Sequence, residues 1–359
     1  MDAVVLVGGE GTRLRPLTYD APKQMLPVVD RTLIEHVVAW LGTCGIDRAI
    51  LSLGYRPNAF IEAFPTGVID GVKLVYAVEP EPLDTAGAIR FAAGVGGVED
   101  RFVVMNGDIL TDFDAADLVR FHAARSAEAS VYLTPVEDPS AFGVVVTDEG
   151  GAVSAFIEKP APGTAPTNLI NAGVYVLEPS VLERIPAGRR VSIERETFPA
   201  VVAGNGLFAM ASDAYWLDCG THAKYLDAQL DILRGLRTAG SRPALPEVAP
   251  GVFVAADARV EGALPGVAYV GAGAVIEAGA VVADAVVLGG ATIRAGAVVE
   301  RSVVMAGCVV DEGSVVEDSI IGPGAVVGSQ AKLTALTVVR GGCEVRQGAV
   351  HEGEKIGQP

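Results

Sequence analysis

The chain has 359 residues, and its 27 Lys plus Arg against 44 Asp plus Glu leave a formal net charge of −17. Single hydrophobic cores stop growing at roughly 250 to 300 residues, so this length predicts two domains. A net negative surface repels nucleic-acid phosphates and anionic lipid headgroups, and the sequence shows no local basic patch to offset it. We therefore expect neither nucleic acid nor a membrane among its partners.

The apolar runs and the metal-binding residue types exclude further classes. The first apolar run, in MDAVVLVGG, is too short for the core of a signal peptide, and no later run reaches the roughly 18 residues of a membrane span. The four Cys and four His residues are scattered without metal-ligand spacing. The sequence thus predicts a cytoplasmic protein with neither a zinc site nor a disulfide framework.

The residues from Ala3 to Leu236 alternate between two apolar patterns. Strand-like runs are AVVLV, AILSL, KLVYAV and RFVVM, and helix-like runs are LIEHVVAWL, NAFIEAF, DTAGAIRFAA and DLVRFHAA. In the first helix-like run, Leu33, Val37 and Leu41 recur at helical spacing. Such alternation predicts a Rossmann-like α/β fold: a doubly wound, mostly parallel sheet that binds ligands at the carboxyl ends of its strands.

Beyond a segment rich in Pro, Gly and Ala at residues 238–250, the pattern changes to a six-residue period. An aliphatic residue recurs at Val270, Ile276, Val282, Leu288, Ile293, Val299, Met305, Val310, Val316, Ile321, Val327 and Leu333, in eight steps of six residues and three of five. Gly, Ala and Ser stand between these positions. This period predicts a parallel β-helix of hexapeptide repeats, with an ordinary sandwich of short strands as the alternative.

A glycine-rich loop directly follows the first strand. Its glycines are Gly8, Gly9 and Gly11. Glycine frees the backbone to point successive N–H groups at phosphate oxygens, and Arg13 adds a fixed cation, so the loop can bind a triphosphate. Leu14 stands where the dinucleotide-binding fingerprint requires Gly, and no Lys-Ser/Thr pair follows the last Gly as in a P-loop. A tight turn is the alternative, but a second cation, Lys23, follows between two prolines in APKQMLPV.

Eight ordered motifs carry a family resemblance. They are GGEGTRLRP, PKQMLP, LDTAG at 83–87, NGD at 106–108, FGVV at 142–145, EKP at 158–160, NAG at 171–173 and WLDCGT at 216–221. With them the chain resembles the sugar nucleotidyltransferases, and the hexapeptide domain makes it most similar to mannose-1-phosphate guanylyltransferases. The resemblance implies a catalytic domain at residues 1–237, a linker at 238–250, a left-handed β-helix at 251–345 and a C-terminal tail at 346–359.

The activity implied by the resemblance is transfer of a nucleoside monophosphate from an NTP to a sugar 1-phosphate, with release of pyrophosphate. Asp108 and Asp218 would hold Mg²⁺, a hard cation that prefers oxygen ligands. Arg13 would bind the departing pyrophosphate, and Lys23 the α-phosphate and the charge that develops there. Taken one at a time, Asp108 is equally expected to end a strand in a turn and Asp218 to assist a helix start.

The other site residues also follow from the resemblance. The nucleotide-binding set is Leu6, Gly8, Gly9, Gly11, Thr12, Arg13, Lys23, Glu79, Asp84, Thr85 and Asp108. On the sugar side, Lys159 would meet the phosphate and Gly143 would let the backbone approach the sugar. Glu158 and Asn171 would hydrogen-bond its hydroxyl groups. A charged turn after a strand is the alternative for the EKP motif.

Glu79 bears on the choice of base. Related uridylyl- and thymidylyltransferases place a Gln five residues before the Gly of an L-G-T motif; here Asp84 stands in that Gly's place, and Glu79 lies five residues before it. A carboxylate offers only acceptors, and guanine alone among the usual bases presents two adjacent donors on its pairing edge. Glu79 therefore favours GTP, while Asp84 places a side chain where Gly usually lets the backbone approach the base.

Several alternatives stay open at this level. Mannose 1-phosphate rests on the resemblance alone, so glucose 1-phosphate, an unusual sugar-like phosphate, and thymidylyl or uridylyl transfer remain alternatives. An added acyltransferase activity is disfavoured, because residues 251–350 contain no His to act as base. A non-catalytic sensor of nucleotide sugars would have lost phosphate cations or metal carboxylates that this chain keeps. Flat faces of hexapeptide β-helices often associate, so we expect a homo-oligomer.

Overall fold

The computed structural model describes residues 1–239 and 242–358. The chain divides into two compact units. The sheet unit comprises Met1–Gly9 and Ile34–Trp216, and the coil unit comprises Glu10–Leu33 and Leu217–Pro359. The segment Glu10–Leu33, although it follows the first strand directly, therefore shares a compact unit with the repeats of the C-terminal part.

Strands and helices alternate through the first part of the chain. The strands are β1 (Asp2–Leu6), β2 (Pro27–Val28), β3 (Arg31–Thr32), β4 (Arg48–Leu53), β5 (Val68–Ile69), β6 (Val72–Val78), β7 (Phe102–Asn106), β8 (Ile109–Thr111), β9 (Ala129–Pro135), β10 (Gly143–Thr147), β11 (Val153–Glu158), β12 (Leu169–Leu177), β13 (Leu207–Ala211) and β14 (Trp216–Asp218). The helices are α1 (Leu33–Thr43), α2 (Asn58–Ala63), α3 (Asp84–Gly96), α4 (Ala115–Arg125), α5 (Pro179–Glu183), α6 (Phe198–Ala203) and α7 (His222–Leu233). Each strand-like or helix-like run predicted from the sequence forms the expected element.

The sheet unit is built on one mixed sheet. Its strands lie in the order β11-β10-β12-β7-β1-β4-β6-β5, and β9 pairs with β12 and with β13. β1 pairs in parallel with β4 and with β7, and β4 pairs in parallel with β6, whereas β12 runs antiparallel to β7. The predicted Rossmann-like fold is confirmed. Strand order reverses between β1 and β7, and open α/β sheets bind ligands at such a reversal.

Helix α3 illustrates how the sheet is covered. Ala86, Ile89 and Ala93 recur at three- and four-residue spacing and are at most 1% exposed. One stripe of the helix therefore faces the sheet, where it packs against β1, β4 and β6. Full burial of a side chain such as Ile89 contributes about 1.5 to 3 kcal/mol. This packing anchors the helix that begins at Asp84, in one of the family motifs.

The C-terminal part of the coil unit is a parallel β-helix. Its strands are β15 (Glu247–Ala249), β16 (Val252–Val254), β17 (Arg259–Val260), β18 (Ala268–Val270), β19 (Val275–Ile276), β20 (Val281–Ala283), β21 (Ala285–Val287), β22 (Thr292–Ile293), β23 (Val298–Glu300), β24 (Val303–Val304), β25 (Val309–Val310), β26 (Val315–Glu317), β27 (Ile320–Ile321), β28 (Val326–Val327), β29 (Lys332–Thr334), β30 (Val338–Val339), β31 (Glu344–Val345), β32 (Val350–Glu352) and β33 (Lys355–Ile356). They form three stacked ladders, β15-β16-β18-β21-β24-β27-β30-β33, β17-β19-β22-β25-β28-β31 and β20-β23-β26-β29-β32. This arrangement confirms the predicted β-helix and is consistent with a left-handed one.

In the middle coils the repeat is one residue shorter than three hexads, which corrects part of the sequence interpretation. Val270 pairs with Val287, and Val287 with Val304, so these coils advance 17 residues along this face, whereas Val252 pairs with Ala268 and Ile320 with Val338. The six-residue count put Leu288 and Met305 at these positions and was wrong by one residue. The sequence count placed the five-residue steps after these positions, at 288–293 and 305–310. In the structure the shorter steps come before them, so the paired residues are Val287 and Val304.

The repeats extend through residues that the sequence places outside them. In the expected tail, residues 346–359, β32 pairs with β29 and β33 pairs with β30. In the expected linker, residues 238–250, β15 pairs antiparallel with β16, while Gly240 and Ser241 lie outside the described residues. Strand pairing continues although the aliphatic period lapses, because backbone hydrogen bonds need no particular side chain. Among the described residues, none of the helices has the length and apolar composition needed to cross a bilayer.

Candidate active site

Four parallel strands of the sheet unit end at one edge, and the residues that follow them form the first part of the candidate site. Gly8 comes within two residues of the end of β1, Gly54 directly after β4, Glu79 directly after β6, and Asp108 within two residues of β7. This edge includes the reversal of strand order between β1 and β7. A Cβ at position 54 would lie 2.8 Å from the carbonyl oxygen of Gly8, so only glycine lets these two loops approach.

Glu79 is held from two sides. Its Oε1 accepts a hydrogen bond from the Ser52 hydroxyl at 2.9 Å, and its Oε2 accepts one from the Leu83 backbone N–H at 3.1 Å. Ser52 is fully buried on β4, so water does not compete for its donor. A Cβ at position 8 would lie 3.1 Å from Glu79 Oε1. The carboxylate is therefore fixed beside the glycine-rich loop, and each oxygen keeps a further lone pair for a ligand.

Asp84 follows the backbone path that glycine would take. Its φ is +59°, in the left-handed region that glycine adopts freely and that Asp tolerates better than most residues. Its Oδ1 accepts a hydrogen bond from the Thr85 N–H at 2.8 Å. Thr85 in turn donates its hydroxyl to Glu194 Oε2 at 2.9 Å. The departure from Gly thus places an Asp side chain at a backbone position that glycine would adopt without strain.

The NGD motif packs tightly against the first strand. A Cβ on Gly107 would lie 2.5 Å from Val7 Cγ1 and 2.9 Å from the carbonyl oxygen of Leu6. The Gly107 N–H donates to that same oxygen at 2.9 Å. Leu6 therefore contacts the NGD motif through its backbone carbonyl. This close packing places the partly exposed Asp108 beside the end of β1.

The NAG motif is a bulge in β12, where the pairing register with β9 shifts between Asn171 and Tyr175. Gly173 has a φ of +75°, and a Cβ there would lie 2.6 Å from Asn106 Nδ2 of the NGD motif. Asn171 Oδ1 accepts from the Gly173 N–H at 2.9 Å, and its Nδ2 donates to the Tyr175 hydroxyl at 2.8 Å. Complete burial raises the pKa of Tyr175, which keeps this hydroxyl protonated. The bulge fixes the Asn171 amide, which has a second N–H donor.

Gly143 and the EKP motif meet where β10 pairs with β11. A Cβ on Gly143 would lie 2.7 Å from Phe156 Cε1 and 3.1 Å from Glu158 Oε2, so this glycine makes room for a ring and a carboxylate. Lys159 has a φ of +48°, in the left-handed region that few non-glycine residues adopt. Its N–H donates to the Phe142 carbonyl at 2.9 Å, and its Nζ lies 3.5 Å from Glu158 Oε1. The three predicted sugar-phosphate residues Gly143, Glu158 and Lys159 are thus neighbours.

In the coil unit, the predicted phosphate cations lie on a segment folded against itself. Gly11 has a φ of +63°, and a Cβ there would lie 3.0 Å from Lys23 Cβ and 3.1 Å from Thr18 Cγ2. The Thr18 hydroxyl donates to the Gly11 carbonyl at 2.8 Å. Thr12 and Arg13 lie in the short 3-10 turn that follows Gly11. Glycine at position 11 therefore lets the loop and Lys23 come together.

Arg13 and Asp218 face each other beside Gly220. Arg13 Nη2 lies 3.9 Å from Asp218 Oδ2, and Asp218 Oδ1 accepts from the Gly220 N–H at 2.8 Å. A Cβ at position 220 would lie 2.5 Å from Arg13 Nη2 and 2.8 Å from Asp218 Oδ1. The Arg13 side chain is 64% exposed and that of Asp218 24% exposed. The guanidinium is thus accessible to an anion, and the next residue, Thr221, caps α7.

The two predicted metal ligands belong to different units, Asp108 to the sheet unit and Asp218 to the coil unit. Within the described ranges, no group of three or more His, Cys, Asp and Glu side chains is arranged to hold a metal ion. Mg²⁺ commonly takes one or two protein carboxylates and completes its coordination with water and substrate phosphates. Each of these partly exposed carboxylates is thus a ligand of the type that Mg²⁺ takes together with phosphate groups.

Ser52, Gly54 and Gly220 are among the residues of these clusters that were given no role from the sequence. Ser52 lies near the end of the second predicted strand, AILSL, Gly54 directly follows that strand, and Gly220 lies within the WLDCGT motif. The signal that was available for Ser52 and Gly54 is their position, because ligands bind at the carboxyl ends of parallel strands. The hydrogen bond between Ser52 and Glu79 joins residues 27 apart in sequence, so it depends on the register of β4 against β6.

Comparison with known families and proteins adds independent findings. Residues 2–235 match the profile of a family described as nucleotidyl transferase, and residues 264–358 match one described as GMPPB C-terminal domain. The mannose-1-phosphate guanylyltransferase of Mycobacterium tuberculosis is 43% identical to this chain over 238 residues. The aligned residues are 66% of this chain and 66% of that enzyme, so the chain spans about two thirds of the relative's length. The probable mannose-1-phosphate guanylyltransferase 3 of Oryza sativa subsp. japonica is 37% identical over 296 residues, which are 80% of this chain and 79% of that one. The crystal structure of HddC from Yersinia pseudotuberculosis complexed with GMP-PN is 28% identical, with a TM-score of 0.54 over 64% of this chain and 97% of that chain.

Proposed function

The chain belongs to the nucleotidyl transferase family, and from that premise we propose that it transfers GMP from GTP to mannose 1-phosphate, forming GDP-mannose and pyrophosphate. The relatives named for this reaction support the choice of sugar. The observation that carries the choice of base is the Glu79 carboxylate, an acceptor-only group whose two oxygens are held by Ser52 and Leu83 beside Gly8. Guanine presents two adjacent donors to such a group.

The reaction needs no protein nucleophile. An oxygen of the sugar phosphate forms a bond to the α-phosphorus of GTP, and the bond from that phosphorus to the bridging oxygen of the β-phosphate breaks. Pyrophosphate leaves with the electron pair. A phosphate monoester has a second pKa of about 6, so the attacking group is largely dianionic at neutral pH without a base. The protein therefore contributes positioning and neutralisation of charge.

The cations of the coil unit serve the phosphates in this proposal. Arg13, exposed beside Asp218, binds the leaving pyrophosphate, and Lys23, packed against Gly11, binds the α-phosphate. Members of this family generally use a divalent metal, and we assign Mg²⁺ to Asp108 and Asp218. When bound, the ion neutralises charge on the triphosphate.

The sheet unit binds the two organic groups in this proposal. Guanine is selected by Glu79. The sugar phosphate is met by Lys159, whose backbone conformation is fixed by its bond to the Phe142 carbonyl. Glu158 and Asn171 accept from and donate to the sugar hydroxyl groups. A cytoplasmic location and a homo-oligomeric state stay predictions from the sequence.

The test is a matrix of pyrophosphate-release assays with Mg²⁺, in which GTP, dTTP and UTP are each paired with mannose 1-phosphate and glucose 1-phosphate. We expect the highest kcat/KM for GTP with mannose 1-phosphate. Faster release with dTTP or UTP would contradict the assignment of the base, and faster release with glucose 1-phosphate would contradict the assignment of the sugar. No release in any pairing would contradict catalysis and favour a nucleotide-sugar sensor.

A further inference from the structure

The last coils of the β-helix contact the segment that carries the phosphate cations. Arg340, which directly follows β30, donates from Nε to Asp20 Oδ2 at 2.8 Å and from Nη2 to Asp20 Oδ1 at 2.8 Å. The two side chains are 320 residues apart in sequence and lie in the same compact unit. A bidentate pair fixes orientation as well as distance, because both N–H groups of the planar fork are engaged.

The neighbouring Tyr19 extends this contact. The Arg340 guanidinium lies 5.4 Å from the centroid of the Tyr19 ring, and the Arg15 guanidinium lies 5.2 Å from it. Both distances are within the range of a cation–π interaction. Arg15 also donates to Glu10 at 2.9 Å. The contact thus joins the last coils to both ends of the stretch from Glu10 to Asp20, which includes Arg13.

The bend at Asp20 leads directly to the two cations. Thr18, two residues before Asp20, donates to the Gly11 carbonyl, and Gly11 packs against Lys23. A shift of the bend would therefore move Gly11, and with it the turn that carries Arg13. Lys23 lies three residues after Asp20, so the same shift would move it as well.

Helix α7 contacts this segment elsewhere along its length. Gln229 accepts from the Val29 N–H at 2.6 Å and donates to the Pro27 carbonyl at 2.9 Å. The Tyr225 hydroxyl donates to the same Pro27 carbonyl. Helix α7 thus holds the segment near its end. The β-helix, through Arg340, holds the bend at Asp20.

We propose that Arg340 is a positioning residue for nucleotidyl transfer, through which the last coils of the β-helix set the bend at Asp20 and so the presentation of Arg13 and Lys23 to the phosphates. The inference rests on the proposed function in that these phosphates are those of the nucleotide substrate. It gives the β-helix a direct part in the reaction, beyond its own stability.

The experiment is a double-mutant cycle in the full-length chain with Arg340→Gln, Asp20→Asn and the double variant. Each single variant should lower kcat/KM for GTP about three- to tenfold, mainly through kcat, because Arg13 and Lys23 meet charge that develops during the reaction. The double variant should lose no more than either single variant, since all three lack the same pair. The ratio of kcat/KM for GTP to that for dTTP should stay unchanged, because Glu79 lies in the other unit.

Arg294→Gln is the matched control. Arg294 pairs with Asp311 at 3.5 Å within the β-helix, and both pairs are partly exposed. This variant should keep wild-type kcat/KM. Wild-type kcat/KM in Arg340→Gln, losses in the two single variants that add up in the double variant, or an equal loss in Arg294→Gln would each overturn the proposal.

Hydrogen exchange supplies a readout that does not depend on the reaction. The amides of residues 10–33 should exchange severalfold faster in Arg340→Gln than in Arg294→Gln, while those of the sheet unit exchange as in the wild type. If exchange of residues 10–33 is unchanged, the positioning role is wrong even where the enzyme is active. The other outcome is that exchange of residues 10–33 increases in Arg340→Gln although the wild-type chain releases no pyrophosphate. In that case the pair of Arg340 and Asp20 holds the segment in place, and the proposed function is wrong.

Discussion

The residues proposed to bind the base, in the sheet unit (the base side), and those proposed to bind the phosphates, in the coil unit (the phosphate side), are held differently. Glu79 receives one hydrogen bond on each carboxylate oxygen, one of them from the fully buried Ser52. Arg13 is 64% exposed and lies 3.9 Å from the nearest carboxylate oxygen of Asp218. The group proposed to choose the base is thus fixed before a ligand binds. The position of the cation proposed to receive pyrophosphate depends on how the segment that carries it is held.

Glycines serve the two sides in different ways. In the sheet unit, Gly54 and Gly107 let one backbone segment approach another, which brings the strand ends close together. In the coil unit, Gly11 and Gly220 make room for charged side chains and for the residues that hold them. Substitution in the first group should disturb the fold, whereas substitution in the second should disturb activity first.

The largest expected effect comes from substituting the two carboxylates proposed as metal ligands, Asp108 in the sheet unit and Asp218 in the coil unit. Asp108→Asn and Asp218→Asn should each lower kcat about 100-fold or more, because each removes the charge of a proposed Mg²⁺ ligand. The measurement is pyrophosphate release across a Mg²⁺ titration, with the exposed Asp117→Asn on α4 as control. If only one of the two variants loses activity, the carboxylate of the other variant is not a metal ligand.

Gly220→Ala should impair the interaction of Arg13 with the phosphates and leave the choice of base unchanged. The new Cβ would lie 2.5 Å from Arg13 Nη2 and 2.8 Å from Asp218 Oδ1, so the guanidinium must move. We expect kcat/KM for GTP to fall about tenfold, on the scale of losing one positioned contact to a phosphate. Thermal unfolding should be nearly unchanged, since the displaced group is exposed. A changed preference between GTP and dTTP would contradict the separation of the two sides.

Each unit also holds a buried histidine whose pKa is lowered by burial, His122 in the sheet unit and His222 in the coil unit. The folded chain therefore protonates both histidines at a lower pH than the unfolded chain, which takes up protons as the pH falls through about 6.5. The free energy of unfolding should therefore decrease from pH 7.5 to pH 5.5. Urea unfolding at several pH values measures this, and His122→Gln and His222→Gln should each flatten the dependence. A stability that rises towards pH 5.5 would contradict it.

The smallest effect is expected at Gly94, which lies on α3 away from both sides. A Cβ there would meet nothing within 4 Å, and the residue is helical. Gly94→Ala should stabilise the chain by about 0.5 to 1 kcal/mol, because glycine has a poor helix propensity. The check is urea unfolding together with an unchanged kcat/KM. A loss of activity would show that α3 moves during the reaction.

Local patterns predicted the elements, because strand and helix periods are carried by neighbouring residues. They did not predict the register of the β-helix, where the position of the five-residue step decides whether Val287 or Leu288 joins the ladder. They gave the identity of Glu79 but not its donor Ser52, which depends on how two strands align. The pair of Arg340 and Asp20 joins residues 320 apart, and no local pattern reports such a contact.

The most direct test of the account is the ratio of kcat/KM for GTP to that for dTTP, measured with mannose 1-phosphate in the wild type and in Glu79→Gln. A mismatched hydrogen bond at the base edge costs about 1 to 3 kcal/mol. We therefore predict that the wild type strongly prefers GTP and that the variant loses about tenfold or more of this preference. A variant that keeps the wild-type ratio would contradict the central claim that Glu79 selects guanine.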